Sequence, residues 1–213
     1  NKFLMSKNFY QRFLEYEYIH FNQPDTIIFK DNLDVWYEKQ YSYIGGPSYH
    51  KSLIKKNPIR PKFFCNGGLS LRKVQNFIAV LDSKKIYFNN FNLITLRECI
   101  KTKYFFKYFN LFYKNYIDTG YFDVNSFIKN FFLSEDVFWT FFAKLFIDDF
   151  KLPKNALECA NFSLNEGHEF YLHKFKVNPY GSHYYNEKNC NYLNKLFLNN
   201  KLLDKEEISN LIV

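Results

Sequence analysis

Three groups of residues in this sequence could do chemistry together. Glu135 and Asp136 stand side by side after Ser134, and a carboxylate within reach of an acceptor hydroxyl serves as a general base. Asp25, after Gln23-Pro24, and His183, after Pro179-Tyr180-Gly181-Ser182, offer a hard oxygen and an imidazole nitrogen, a pair suited to Mg²⁺ or Mn²⁺. Asn66-Gly67-Gly68, inside Cys65-Asn66-Gly67-Gly68-Leu69-Ser70-Leu71-Arg72, lacks side-chain bulk at two successive positions and permits positive φ, so its backbone can approach a bulky polar ligand closely. A base, a cation that offsets charge on a departing diphosphate and close backbone contacts to the sugar are what nucleotide-sugar transfer requires.

Each group also has a plainer reading. An Asn-Gly-Gly tripeptide is a turn signal in its own right. Asp25 after a proline reads equally as a turn residue, and His183 after Gly181-Ser182 as a loop histidine. Glu135 and Asp136 suit the positively polarised first turn of a helix whether or not they meet a substrate. Asp136 is the first choice of base and Glu135 the second. Trp139, one turn further on, reads as core before sugar platform, and His168 and His173, five apart, match no metal-binding spacing and read as surface residues.

These residues need a scaffold, and 213 residues with 47% hydrophobic content suffice for one α/β unit with a sizeable core. The net charge of +8 suits an anionic partner. Its lysines fall in short groups such as Lys55-Lys56 and Lys84-Lys85 rather than in one basic block, so a solvated surface accounts for them and nucleic acid is not called for. The 27 Phe and 18 Tyr, with abundant Asn, Lys and Ile, fit an AT-rich coding bias. Cys65, Cys99, Cys159 and Cys190 contain no Cys-x-x-Cys pair, which points away from a zinc knuckle or a disulfide framework and toward a reducing cytoplasm. The apolar run from Val137 to Ile147, broken by Lys144, is about half the ~20 residues of a membrane helix, leaving only peripheral membrane contact open. The chain begins at Asn1 rather than at a methionine, as a piece of a longer protein would.

Periodicity then places the groups. A helix is expected from a Ser6 cap to about Glu15, a strand over Tyr18 to Phe21 ended by Pro24, an extended Thr26 to Phe29, and a short helix over Leu33 to Glu38. Tyr41 to Ile44 reads as a strand closed by Gly45-Gly46-Pro47, Ser48 to Pro61 as a loop, Leu69 to Leu71 as a strand and Lys73 to Leu81 as a helix. The strands suit one mixed sheet. Positions from about 84 to 130 read as a variable helical insertion. Ser134 caps a helix to about Phe146, Ala156 to Ala160 is helical, Asn161 to Leu164 a strand, Phe170 to Val177 extended and Pro179 to His183 a turn. Two helices close the chain, about Glu187 to Asn199 and Lys205 to Leu211, within a C-terminal extension over 186–213.

The order of several blocks resembles the glycosyltransferase-like family known as domain of unknown function 5672, whose members are similar to GT-A nucleotide-sugar transferases. The blocks are Met5-Ser6-Lys7-Asn8-Phe9-Tyr10, Phe21-Asn22-Gln23-Pro24-Asp25, Tyr41-Ser42-Tyr43-Ile44-Gly45-Gly46-Pro47, the Asn-Gly-Gly-Leu-Ser-Leu-Arg block, Glu135-Asp136-Val137-Phe138, Ala160-Asn161-Phe162-Ser163 and Pro179 to His183. They span Asn1 to about Tyr185. The resemblance implies an α/β fold with a GT-A-like mixed sheet flanked by helices. It puts Gln23-Pro24-Asp25 where such enzymes carry an Asp-x-Asp motif, and Asn66, Gly67 and Gly68 with Gln23 and Asp25 at the donor. It makes Glu135-Asp136 the acid pair near the acceptor and His183 a partner of Asp25 on the metal. This chain has a lone Asp25 in place of two carboxylates, Ser48 where the family often has Trp after Gly-x-Pro, and only Asn1 to Asn22 ahead of Gln23. Part of the N-terminal nucleotide-binding βαβ portion is therefore expected to be missing.

The function these readings imply is transfer of a sugar from a nucleotide-diphosphate donor to a hydroxyl on a glycan or surface polymer, with Mn²⁺ or Mg²⁺ at Asp25 and His183. The alternative is a catalytically silent carbohydrate-binding or assembly domain, or a fragment of a larger transferase.

Overall fold

Strand β4 (Phe63–Lys73) organises the chain, and Leu69 to Arg72 within it are fully buried, as expected of a central strand covered on both faces. The computed structural model describes residues 2–49, 63–84, 110, 114, 124–131, 133–165 and 170–183. Strand β1 (Tyr18–Asn22) runs antiparallel along one edge of β4, from Tyr18 opposite Lys73 to Asn22 opposite Leu69. Strand β3 (Tyr43–Tyr49) runs antiparallel along the other, giving the order β1-β4-β3.

Two expectations fail in this sheet for one reason. Gly45-Gly46-Pro47 does not close β3, and Asn66-Gly67-Gly68 is not a turn: both lie inside paired strands. Gly45 pairs with Ser70 and Gly46 with Asn66, so Gly67, Gly68 and Leu69 form a bulge. The bulge is held by the Gly68 N–H donating to Asn66 Oδ1 at 2.8 Å and the Ser70 hydroxyl donating to the Gly67 carbonyl at 3.0 Å. Its backbone polar groups thus find partners without leaving the sheet.

A second sheet, β2-β6-β5, is built from Ile27–Ile28 (β2), Ser163–Leu164 (β5) and Gly181–Ser182 (β6). Here β2 and β6 are antiparallel and β5 and β6 parallel. The sequence suggested one mixed sheet; two small ones form, because the strands bearing Gly181 and Ser163 pair with each other and with Ile27 rather than with β4.

Helices cover the sheets. They are α1 (Lys7–Gln11), α2 (Asp34–Glu38), α3 (Val74–Asp82), α4 (Val124–Asn130), α5 (Glu135–Val137) and α6 (Ala156–Phe162). Of the face expected for α3, Val74, Phe77 and Leu81 are buried and Ile78 is half-buried, with Val80 buried beside them. From α5 the chain continues as a π-helical segment, Phe138–Phe142, and a 3-10 turn, Ala143–Leu145. Phe138, Trp139 and Phe142 of this run are buried against Phe77, Phe127 and Phe131. Trp139 is core, its Nε1–H donating to the Leu4 carbonyl at 3.2 Å.

Other boundaries move. α1 ends at Gln11 rather than Glu15, and Ser6 gives its hydroxyl to the Phe3 carbonyl instead of capping. Ser134 stands at an N-cap but makes no capping bond through its side chain, whereas Asn155 caps α6 by accepting from the Glu158 N–H at 2.9 Å. Asn161 and Phe162, expected in a strand, belong to α6, and Phe170–Lys174 is a π-helical turn rather than extended. Cys65 and Cys159 are buried free thiols with sulfurs 3.7 Å apart.

Among the described residues no helix is long and apolar enough to cross a membrane. Most of the expected loop to Pro61, most of the expected insertion at 84–130, His168, Cys99, Cys190 and the expected 186–213 extension with its two helices lie outside the described residues.

Candidate functional site

The bulge places two side-chain-free positions between two clusters of charged and polar groups. A Cβ at Gly67 would come within 2.3 Å of Glu135 Oε1 and 2.9 Å of Arg72 Nη2. A Cβ at Gly68 would lie 2.4 Å from the His183 ring. Neither glycine has φ in the left-handed region, so these positions need glycine for room rather than for torsion.

On the Gly67 side lies a buried ion pair. Arg72 donates from Nη2 to Glu135 Oε1 at 2.9 Å and from Nη1 to Glu135 Oε2 at 3.2 Å, a bidentate fork. Nη1 also reaches the Tyr10 hydroxyl at 3.1 Å and Nε the Ser70 hydroxyl at 3.0 Å. The guanidinium carbon stands 4.8 Å from the Phe21 ring centre and 5.5 Å from that of Tyr43, stacking that suits arginine. Burial works against the Arg72 charge, but Glu135, Tyr10 and Tyr43 outweigh it and hold its pKa above the ordinary value. Burial pushes Glu135 upward, with Asp136 adding to the rise, while the Arg72 charge opposes it. Burial also pushes the Tyr10 phenol well up.

On the Gly68 side lies a buried imidazole. His183 directly follows β6, its backbone N–H donating to the Leu164 carbonyl at 2.8 Å, and is buried, not exposed on a turn. Its Nε2 is 3.2 Å from Asp25 Oδ1, and the side chains are 3% and 42% exposed, so the pair meets solvent at Asp25. Its Nδ1 is 2.7 Å from Asn165 Oδ1, and Asn165 Nδ2 donates to the Ser48 hydroxyl. Desolvation lowers the His183 pKa, against the opposing pull of the Asp25 and Asp136 carboxylates.

The turn carrying Asp25 is fixed to the bulge. Gln23 donates its N–H to the Gly68 carbonyl at 2.8 Å, and Thr26 closes the turn with N–H and hydroxyl on the Gln23 carbonyl at 3.1 and 2.7 Å. β1 ends at Asn22, where Pro24 was expected to stop it. Asp136, 8% exposed, accepts the Val137 N–H at 2.8 Å and stands close enough to Glu135 and His183 for its charge to act on both.

The fold therefore gathers every candidate side chain around Gly67 and Gly68: Asp25 with His183 on one side, Glu135 with Asp136 on the other, and Gln23 and Asn66 along the backbone between. Arg72 as the partner of Glu135 and Asn165 behind His183 were not singled out from sequence, and Ser48 stood out only as a departure from the tryptophan expected after Gly-x-Pro. An arginine four residues after a glycine pair, within an apolar stretch, was the available signal for the first; a two-residue strand before Asn165 left none for the second. Among the described residues no three His, Cys, Asp or Glu side chains surround one point. A cation at Asp25 and His183 would take its remaining ligands from water or substrate oxygens, as Mg²⁺ commonly does with one or two carboxylates. The 3.2 Å between Asp25 Oδ1 and His183 Nε2 is the separation of a direct ion pair or hydrogen bond between the two side chains.

Residues 1–183 match the family described as Protein of unknown function (DUF5672). No curated protein and no solved structure matches the chain.

Proposed function

We propose that this chain, which belongs to that family over residues 1–183, is a glycosyltransferase of GT-A type that moves a sugar from a nucleotide diphosphate to a hydroxyl on a glycan or other polymer. The observation that carries the reading is the Gly67-Gly68 strip flanked by Asp25–His183 and by Glu135–Asp136. A carboxylate and an imidazole on one side suit a diphosphate and its cation; a carboxylate on the other suits an acceptor hydroxyl.

The two acids then divide their roles. Glu135 spends both oxygens on Arg72 and holds the start of its helix against the bulge. Asp136 is the base: as the acceptor oxygen bonds to the sugar carbon and the diphosphate departs, the hydroxyl proton passes to its carboxylate. Mn²⁺ or Mg²⁺, when bound, offsets the charge of the departing diphosphate. Asp25 and His183 would hold it, Gln23 and Asn66 line the approach, and the absence of Cβ atoms at residues 67 and 68 leaves backbone for the sugar to lie against.

The experiment is a screen of nucleotide sugars with glycan acceptors, read as release of free nucleotide diphosphate. Turnover of at least one donor that drops on Asp136→Asn supports the reading; turnover unchanged in that variant removes Asp136 from it. A second reading, a carbohydrate-binding domain without catalysis, draws on the lone Asp25 where two carboxylates were expected. Glycan binding with no nucleotide binding would favour it.

A further inference from the structure

We propose that Cys65 and Cys159 are a disulfide-forming pair, closed into a cross-link between β4 and α6 when the chain folds in the presence of a low-molecular-weight disulfide and left as two thiols when it folds among reductants. Neither sulfur belongs to the proposed sugar site, although Cys65 directly precedes Asn66.

The two residues are 94 apart in sequence, yet their sulfurs stand 3.7 Å from each other in the core, with the residues 1% and 0% exposed. A lone buried cysteine packs as a small hydrophobe. Two whose sulfurs touch are also within reach of a bond of about 2.0 Å, because rotation about each Cα–Cβ bond carries its sulfur toward the other. The backbone is held on both sides. Cys65 donates its N–H to the Thr140 hydroxyl at 3.1 Å, and its carbonyl accepts the Tyr43 hydroxyl at 2.8 Å. Asn155 caps the start of α6, and the Asn161 carbonyl near its end accepts the Tyr180 N–H at 2.9 Å. The reduced fold thus already brings the sulfurs together, and closing the bond calls on side-chain rotation rather than on movement of β4 or α6.

The chemistry is thiol–disulfide exchange. One cysteine thiolate attacks a sulfur of the reagent disulfide, forming a mixed disulfide and expelling one reagent thiolate. The second cysteine thiolate attacks the protein sulfur of that mixed disulfide and expels the other. The two cysteine protons end on the two departing thiolates, and the two electrons lost by the cysteines are gained by the reagent. Burial pushes the Cys159 thiol up, with Cys65 adding to the rise, and the thiolate is the attacking species. Exchange therefore runs while the chain is folding and its sulfurs are open to the reagent; once buried, thiols and disulfide alike are shielded. A link between residues 94 apart removes more freedom from the unfolded chain than a short one does, so the oxidised form is the more stable.

In the test, the full chain is unfolded in urea with reductant and refolded with either oxidised glutathione or dithiothreitol. Free thiols are then alkylated under denaturing conditions and the peptides mapped by mass spectrometry without reduction. A Cys65–Cys159 cross-linked peptide is expected as the main product of the first refolding and is absent from the second. The melting temperature should rise by about 5–15 °C in the cross-linked form, and Cys159→Ala refolded with oxidised glutathione should show neither cross-link nor rise. The proposal is overturned by Cys65 and Cys159 left free in oxidised glutathione, by pairing of either with Cys99 or Cys190 instead, by a cross-link that lowers the melting temperature, or by a rise that persists in Cys159→Ala. If Cys159→Ala does not fold, the peptide maps and melts of the unsubstituted chain still decide it.

Discussion

The His183 ring fills the space that a side chain at residue 68 would need, approaching within 2.4 Å of an ideal Cβ there. His183 is backed by Asn165 and Leu164 and cannot retreat freely. Gly68→Ala should therefore displace the imidazole from Asp25 and cost about 1–3 kcal/mol through overpacking. Urea unfolding and Mn²⁺ titration of the variant check both parts: lower stability with weaker metal binding is expected, and an unchanged Mn²⁺ affinity would show that the ring adjusts without loss.

The Arg72–Glu135 pair should behave as a buried ion pair does when one member is lost. Arg72→Met or Glu135→Leu each leaves the partner without its counter-charge and should cost about 3–5 kcal/mol, whereas the double variant carrying both should cost much less than the two summed. A double-mutant cycle in denaturant measures the coupling; additive losses would mean that the two groups do not support each other.

Asp136→Asn should lower turnover about 10²- to 10⁴-fold while leaving nucleotide affinity near that of the unsubstituted chain. Steady-state rates set beside calorimetric affinities separate the two effects, and a parallel loss of both would move Asp136 from base to binding residue.

Acid should weaken the fold through His20. Burial lowers its pKa below the ordinary value, so between about pH 6.5 and its folded pKa the unfolded chain binds the proton that the folded chain refuses. The stability present above about pH 6.5 is then lost as pH falls through this window. Thermal melts at stepped pH should show a shallower decline for His20→Gln than for the unsubstituted chain; equal slopes would remove His20 from the account.

Burial raises the Cys159 thiol well above its ordinary pKa, with Cys65 beside it adding to the rise. The two sulfurs should stay unreactive toward alkylating reagents in the folded state and react on unfolding, since the thiolate is the reactive form. Mass-spectrometric counting of labelled cysteines in native buffer and in urea checks this, and rapid native labelling of either would contradict the buried pairing.

What sequence could show and what it could not divide along physical lines. Helix α3 was legible because its apolar spacing fixes the buried face; β1 was legible as a strand from its β-favouring residues and the Pro24 that follows it, but its residues are half-buried or exposed rather than buried. Gly45-Gly46-Pro47 and Asn66-Gly67-Gly68 misled because glycine signals a turn in isolation, yet here two glycine-bearing segments pair with each other and absorb the mismatch as a bulge. The candidate residues could be named one by one from their chemistry. Their assembly depends on contacts such as His183 with Asn165 and Arg72 with Glu135 across 63 residues, which no local pattern encodes. The π-helical stretch from Phe138 to Phe142 is likewise set by the aromatic core it packs into.

Asp25 and His183, beside Gly68, are proposed as a cation-dependent seat for a nucleotide diphosphate. Calorimetric titration with UDP and GDP, each with and without Mn²⁺, on the unsubstituted chain and on Asp25→Ala tests it most directly. Binding of at least one nucleotide that requires Mn²⁺ and is lost in Asp25→Ala is expected. Absence of binding to either nucleotide, or binding indifferent to both Mn²⁺ and Asp25, would contradict it.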